Sequence, residues 1–375
     1  MRQSRRTFLA TTAATGALAA IAQRSSASGL AGISKGRKKM KILILGGTKF
    51  LGPQIVEAAQ ARGHTLTLFN RGKTHPGLFP EIEKLRGDRE TADLKSLESR
   101  QWDAVVDTSA YIPRHVNEVL AILAGSVKQY VFISSISVYA DKSTPNQDES
   151  APVGVLEDPT VEKVGGASYG PLKALCEQAA EKAMPGKVTN IRPGLIVGPG
   201  DQTDRFTYWP SRVSLGGEVL APGTADDPIQ VIDVRDLGEW IVKTIEDSTV
   251  GVYNAMGPTG GLSIGKLLEA CKAVTKSDAR FTWADAAFLA SMNVAGWSDM
   301  PVWLPPGGDS AGFCRFKFDR AVKAGLKFRS LDASVKDTLE WHQSRPEAER
   351  KELKAGIKPE READVLKAWH GKKTR

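Results

Sequence analysis

The sequence predicts a doubly wound α/β fold, in which helices cover both faces of a parallel sheet and a smaller lobe follows toward the C-terminus. Three observations predict it. From residue 40 short, near-continuous apolar runs alternate with amphipathic stretches; a glycine turn joins the first run directly to a helix; after about residue 190 the texture becomes rich in Gly and Pro. Length and composition agree with this. The 375 residues, 41% hydrophobic, 25% charged and 7% aromatic, match a folded chain with a large core and exclude disordered, collagen-like and multi-pass membrane classes.

The opening segment reads as an address. Ser4-Arg5-Arg6-Thr7-Phe8-Leu9 precedes an uncharged stretch of small residues from Ala10 to Ala22, and this resembles a twin-arginine export signal over residues 1–28. Its apolar run is too short to span a bilayer, so no stable membrane span is expected. Ala20-Ile21-Ala22 and Ser25-Ser26-Ala27 are both candidate cleavage sites. The resemblance implies engagement with the twin-arginine translocation machinery and a periplasmic destination. A basic linker, residues 29–39, follows.

The net charge of +8 does not point to nucleic acid. Arg2, Arg5, Arg6 and Arg24 supply half of it, and Lys35, Arg37, Lys38, Lys39, Lys372, Lys373 and Arg375 are also terminal. Cys176, Cys271 and Cys314 are odd in number and lack metal-ligand spacing, so buried thiols are expected, with no metal and no disulfide framework.

The elements follow in order. Lys41 to Leu45 reads as a buried strand, Pro53 to Arg62 as a helix and His64 to Phe69 as a second strand. Ala104 to Asp107, a helix over Val116 to Leu123, and Tyr130 to Ser135 continue the alternation. These belong to a nucleotide-binding domain over residues 40–190. Residues 191–345 hold the remainder of the sheet and a substrate lobe, with a strand at Gln230 to Val234 and a helix from Leu237 to Glu246. Segment 281–313, with Trp283, Trp297, Trp303 and Phe313 among Gly and Pro, reads as a lobe or lid. Residues 346–375 form a charged tail in which Glu347 to Trp369 reads as a solvated helix.

Gly46-Gly47-Thr48-Lys49-Phe50-Leu51-Gly52 lies between the first strand and its helix. Glycines there admit a pyrophosphate, whose charge is met by free amides and the positive end of the helix dipole, so dinucleotide binding is expected. Where an acid would hold the adenosine ribose, the sequence reads Asn70-Arg71. NAD or NADP is therefore expected, with Arg71 favouring NADP. Asp88 is placed to accept from the adenine amino group.

Tyr169 and Lys173 stand at i and i+4 on one helix face, a spacing that lets an ammonium tune a phenol for proton exchange with a substrate oxygen. Ser134, Ser135 and Ser137 follow a strand and Ile191-Arg192-Pro193-Gly194 comes later. This ordered set is similar to the extended short-chain dehydrogenase/reductase family, the NAD-dependent epimerases and dehydratases, over residues 40–345. The resemblance implies a Rossmann fold, with Ser135 as catalytic serine, Tyr169 as acid/base and Lys173 on the nicotinamide ribose. The 34-residue interval from Ser135 to Tyr169 leaves Ser134 and Ser137 as alternatives. By the same resemblance Ser109 and Pro193 line the nicotinamide pocket, Asp233-Val234-Arg235-Asp236 puts Arg235 near substrate, and a homodimer is expected.

Lys49 in place of the central glycine resembles an atypical branch that includes isoflavone-reductase-like proteins and chloroplast stem-loop-binding proteins. Tyr111, with His115, and Asp201 and Arg205, with Tyr208 and Trp209, are candidate substrate contacts. Export favours redox-neutral turnover of a small molecule, a sugar or polyol derivative, because spent cofactor is not easily replaced outside the cytoplasm. An NADP-dependent carbonyl reductase and a non-catalytic RNA-binding relative are the alternatives.

Overall fold

A computed structural model describes residues 38–373. The expected export signal and most of the basic linker lie outside the described residues. The chain runs β1 (Lys41–Leu45), α1 (Leu51–Ala61), β2 (Thr65–Asn70), β3 (Glu83–Arg86), β4 (Trp102–Asp107), α2 (Pro113–Leu123), β5 (Val127–Ile133), α3 (Tyr169–Ala183) and β6 (Val188–Pro193). It continues through β7 (Leu195–Val197), α4 (Tyr208–Ser214), β8 (Glu218–Pro222), β9 (Pro228–Asp233), α5 (Val234–Glu246), β10 (Gly251–Ala255), β11 (Gly257–Ser263) and α6 (Ile264–Thr275). Last come β12 (Arg280–Ala284), α7 (Ala286–Ser291), α8 (Asp319–Lys323), α9 (Leu331–Ser344), α10 (Glu347–Lys351) and α11 (Pro359–Lys373).

Seven strands form one parallel sheet in the order β10-β6-β5-β4-β1-β2-β3. The pleat sorts β1 cleanly. Ile42 and Ile44 face Ile55 of α1 and Leu237 of α5, whereas Leu43 and Leu45 face Val116 of α2 and Cys176 of α3. Both faces are covered, which is why the strands read as unbroken apolar runs. The chain winds outward from β1 to β2 on one side and β4 on the other, so the strand order reverses at β1 and a crevice opens at the carboxyl ends there.

A separate core builds the lobe from α4, β8, α6, β12 and the C-terminal helix. Two expectations are corrected there. The tail is not one solvated helix: it breaks into α10 and α11, and Val365, Leu366 and Trp369 of α11 are buried in the lobe core. Glu362 is buried with them, accepting from the Leu220 amide at 2.9 Å and from Arg212 at 2.6 Å. The tryptophans of segment 281–313 also divide. Trp303 is core, donating its indole N–H to Asp227 at 2.7 Å, while Trp297 and Phe313 meet edge to face at 5.4 Å. Trp209 likewise is core, bonded to the Pro301 carbonyl at 2.7 Å, and Tyr208 is buried beside it.

Candidate active site

The carboxyl ends of the central strands open into a cleft of about 1090 Å³. One end is built by the glycine turn. Gly46 and Gly47 adopt φ of 109° and 87°, and a Cβ on Gly46 would stand 2.4 Å from the Thr108 hydroxyl. Gly52, inside α1, presses so closely on the turn that a Cβ there would lie 2.6 Å from the Gly47 backbone. Gly52 itself is therefore packed behind the cleft wall. The first turn of α1 has no side-chain cap and no acid; Gly52 donates to the Lys49 carbonyl at 3.0 Å and Pro53 has no N–H, so the turn offers an anion the Leu51 amide and the positive end of the helix dipole. These features fit a dinucleotide pyrophosphate.

Thr48, Lys49, Phe50, Leu51, Asn70, Arg71, Asp88 and Ser109 also line the cleft. The Asn70 amide is already engaged: it donates to the Gly46 carbonyl at 3.1 Å and accepts from the Gly72 amide at 2.9 Å and from Arg86. It acts as a brace between two turns. Arg71, Lys49 and Lys73 are exposed around it. Asp88 accepts from the Glu90 amide at 3.1 Å.

Ser135, Tyr169, Lys173 and Pro193 meet in the same cleft. Ser135 caps a short turn after β5, accepting from the Ser137 amide at 3.1 Å, and its side chain lies near enough to the Tyr169 phenol to favour the phenolate. Gly170 makes this approach possible. A Cβ there would stand 2.0 Å from the Ser137 carbonyl oxygen, so α3 can begin against the serine loop only with glycine after the tyrosine. One turn deeper, Lys173 donates to the Ala110 carbonyl at 2.9 Å and the Ile133 carbonyl at 2.6 Å, with the Phe132 ring 4.3 Å away.

The electrostatics differ from the simplest expectation. Burial lowers the Lys173 amine to about 8, and burial also raises the Tyr169 phenol above its ordinary value. The groups that pull the phenol back down are the Ser135 side chain and the charge of Arg205. Arg205 lies 5.0 Å over the Trp297 ring and donates to the Thr203 hydroxyl at 3.1 Å. Asp201 is buried nearby, accepting from the Thr203 amide at 2.8 Å, and burial raises its carboxyl. Tyr111 stands 6.4 Å from Tyr169, ring to ring, and is 45% exposed.

Arg235 is not brought to the cleft. It is bound at the start of α5 by Asp233 at 2.7 Å and by Asp337 of α9, so the Asp233 to Asp236 motif fastens helices instead of meeting substrate. Sequence reasoning missed Arg89. This buried side chain lies on the cleft wall and forms a two-pronged pair with Asp107, at 2.8 and 2.7 Å. Its signal was present in Gly87-Asp88-Arg89, a cation directly after a candidate adenine contact.

Comparison with known proteins bears on the whole assembly. The chain is 27% identical over 241 residues to chloroplast stem-loop binding protein of 41 kDa b from Arabidopsis thaliana, spanning 58% of this chain and 58% of that protein. Two solved structures share the fold. The Bordetella bronchiseptica enzyme WbmH in complex with NAD+ superposes with a TM-score of 0.60 at 16% identity, covering 82% of this chain and 99% of that one. Human epimerase family protein SDR39U1 with NADPH gives a TM-score of 0.53 at 22% identity, covering 80% and 99%. A family model matches residues 42–255, more than half of the chain and the stretch that carries the glycine turn, Ser135, Tyr169 and Lys173; this chain belongs to the NAD dependent epimerase/dehydratase family.

Proposed function

We propose that the chain is an NAD(P)-dependent epimerase- or dehydratase-type enzyme acting on a sugar or polyol derivative, with Ser135, Tyr169 and Lys173 as its site. The observation that carries this is the convergence of Ser135, Tyr169 and Lys173 in the cleft that also holds the pyrophosphate-fitting turn. The bound nicotinamide supplies hydride chemistry. Tyr169 Oη holds and moves the proton of the substrate oxygen, Ser135 Oγ orients that oxygen, and the Lys173 amine, anchored on two carbonyls, presents its remaining N–H to the ribose. The exposed cations Arg71, Lys49 and Lys73 around a β2 end without a carboxylate support NADP.

The twin-arginine resemblance supports a periplasmic enzyme that arrives loaded and works in redox-neutral turnover. Mass spectrometry of nucleotide released by denaturing the purified protein tests this. Near-stoichiometric NADP, with substrate turnover that leaves no lasting nicotinamide absorbance change, is the expected result. A protein that continually consumes added NADPH overturns the redox-neutral reading. It would establish the second reading, a stoichiometric carbonyl reductase, which the same cation set favours.

A further inference from the structure

Arg89 on the cleft wall and Asp107 behind it form a buried pair joined to several parts of the site. Arg89 also donates to the His115 carbonyl at 2.8 Å and the Ser109 hydroxyl at 3.2 Å. Asp107, fully buried at the end of β4, accepts from the amides of Ser109 and Ala110, both at 3.0 Å, and from the Tyr130 hydroxyl at 2.5 Å. Five hydrogen bonds therefore converge on this carboxylate, and two of them, from Ser109 and Ala110, fix the loop 107–110. That loop ends in the Ala110 carbonyl, one of the two oxygens that hold Lys173 Nζ.

A buried ion pair is weak evidence for stability, since desolvation offsets most of its attraction, and it calls for another account. We infer that the Arg89–Asp107 pair is a positioning device for Lys173: it fixes the carbonyl that holds the amine, and its two opposed charges set how readily that amine keeps a proton. The inference rests on the proposed role of Lys173. The loop also meets the nucleotide turn, because Thr108 and Ser109 both donate to the Leu45 carbonyl, at 2.8 and 3.3 Å. One pair thus sets the amine and the floor of the glycine turn together.

The charged and titratable neighbours of Lys173 are Asp107 and Arg89 behind it, Tyr169, Cys176 and Glu177 on its own helix, and Tyr111 in the cleft. Glu177 is neutralised by Arg192 at 2.6 Å. Asp107 favours the charged amine and Arg89 disfavours it, so the two offset one another in the intact pair.

The test is the titration of the Lys173 side chain in the full-length protein, read by nuclear magnetic resonance on isotope-labelled lysine and assigned by its loss in Lys173→Arg. Asp107→Asn keeps the shape and leaves Arg89 unopposed, and lowers the amine's proton affinity about tenfold; Arg89→Met leaves Asp107 unopposed and raises it by about the same factor. Combining the two restores the original titration. Shifts in one common direction, or none in folded variants, overturn the inference. If neither single variant folds, Tyr130→Phe reads the same carboxylate: losing the hydroxyl that masks it moves the titration upward, and an unchanged titration overturns the inference. Undiminished turnover in Lys173→Arg would instead sink the proposed function without touching this titration.

Discussion

At the scale of single residues, the site depends on two glycines as much as on its reactive side chains. Gly170→Ala would put a methyl group 2.0 Å from the Ser137 carbonyl, so the start of α3 must retreat and take Tyr169 away from Ser135. Turnover is expected to fall while bound nucleotide, measured by mass spectrometry after denaturation, is retained. Gly52→Ala does the reverse: its methyl collides with the Gly47 backbone, and nucleotide is lost. Tyr169→Phe keeps the ring and removes the proton carrier, lowering kcat by about 10²–10⁴-fold at unchanged nucleotide content. A kcat within a few-fold of wild type would dismiss Tyr169 as the acid/base.

At the scale of elements, α11 shows what patterning reveals and conceals. Its buried face, Glu362, Val365, Leu366 and Trp369, has helical spacing, but one member is a glutamate whose partners, Arg212 and the Leu220 amide, lie about 140–150 residues away in sequence. A charged segment thus reads as solvated although its acid is satisfied inside the lobe. Trp369→Ala should cost about 3–5 kcal/mol, read from the denaturant midpoint, and leave nucleotide binding in the sheet domain intact. The strands of the sheet were legible for the opposite reason: covered on both faces, they carry unbroken apolar runs, and the glycine turn and Tyr169-x-x-x-Lys173 are local signals. Asp107 and Arg89 were illegible as a pair because their contact crosses strands. Which of Trp209, Trp297 and Trp303 faces the cleft was equally hidden, since irregular segments have no period to read.

At the scale of the whole molecule, buried titrating groups fix how stability depends on pH. Lys173 loses its proton at about 8 when folded but near 10.5 when exposed, so it adds stability as pH rises through that window. The thiols act oppositely. Cys176 is raised to about 12 and Cys314 to about 11 from an ordinary 9, and Cys271 is raised as well, so each removes stability above about pH 9. The one gain is outweighed by the three thiol losses, which the raised phenols of Tyr111, Tyr130, Tyr139, Tyr169 and Tyr208 join above about pH 10, and this places the maximum near pH 9, as urea midpoints measured across the alkaline range should show. Replacing the three cysteines by alanine moves the maximum upward; an unmoved maximum contradicts the assignment. The docking of α11 has a temporal consequence as well. Because α11 completes the lobe core, that core cannot close on a nascent chain until α11 has emerged, whereas the strands and helices through β6 are already made by then. Synthesis itself therefore orders the two halves, with the nucleotide cradle formed before the wall that encloses a substrate.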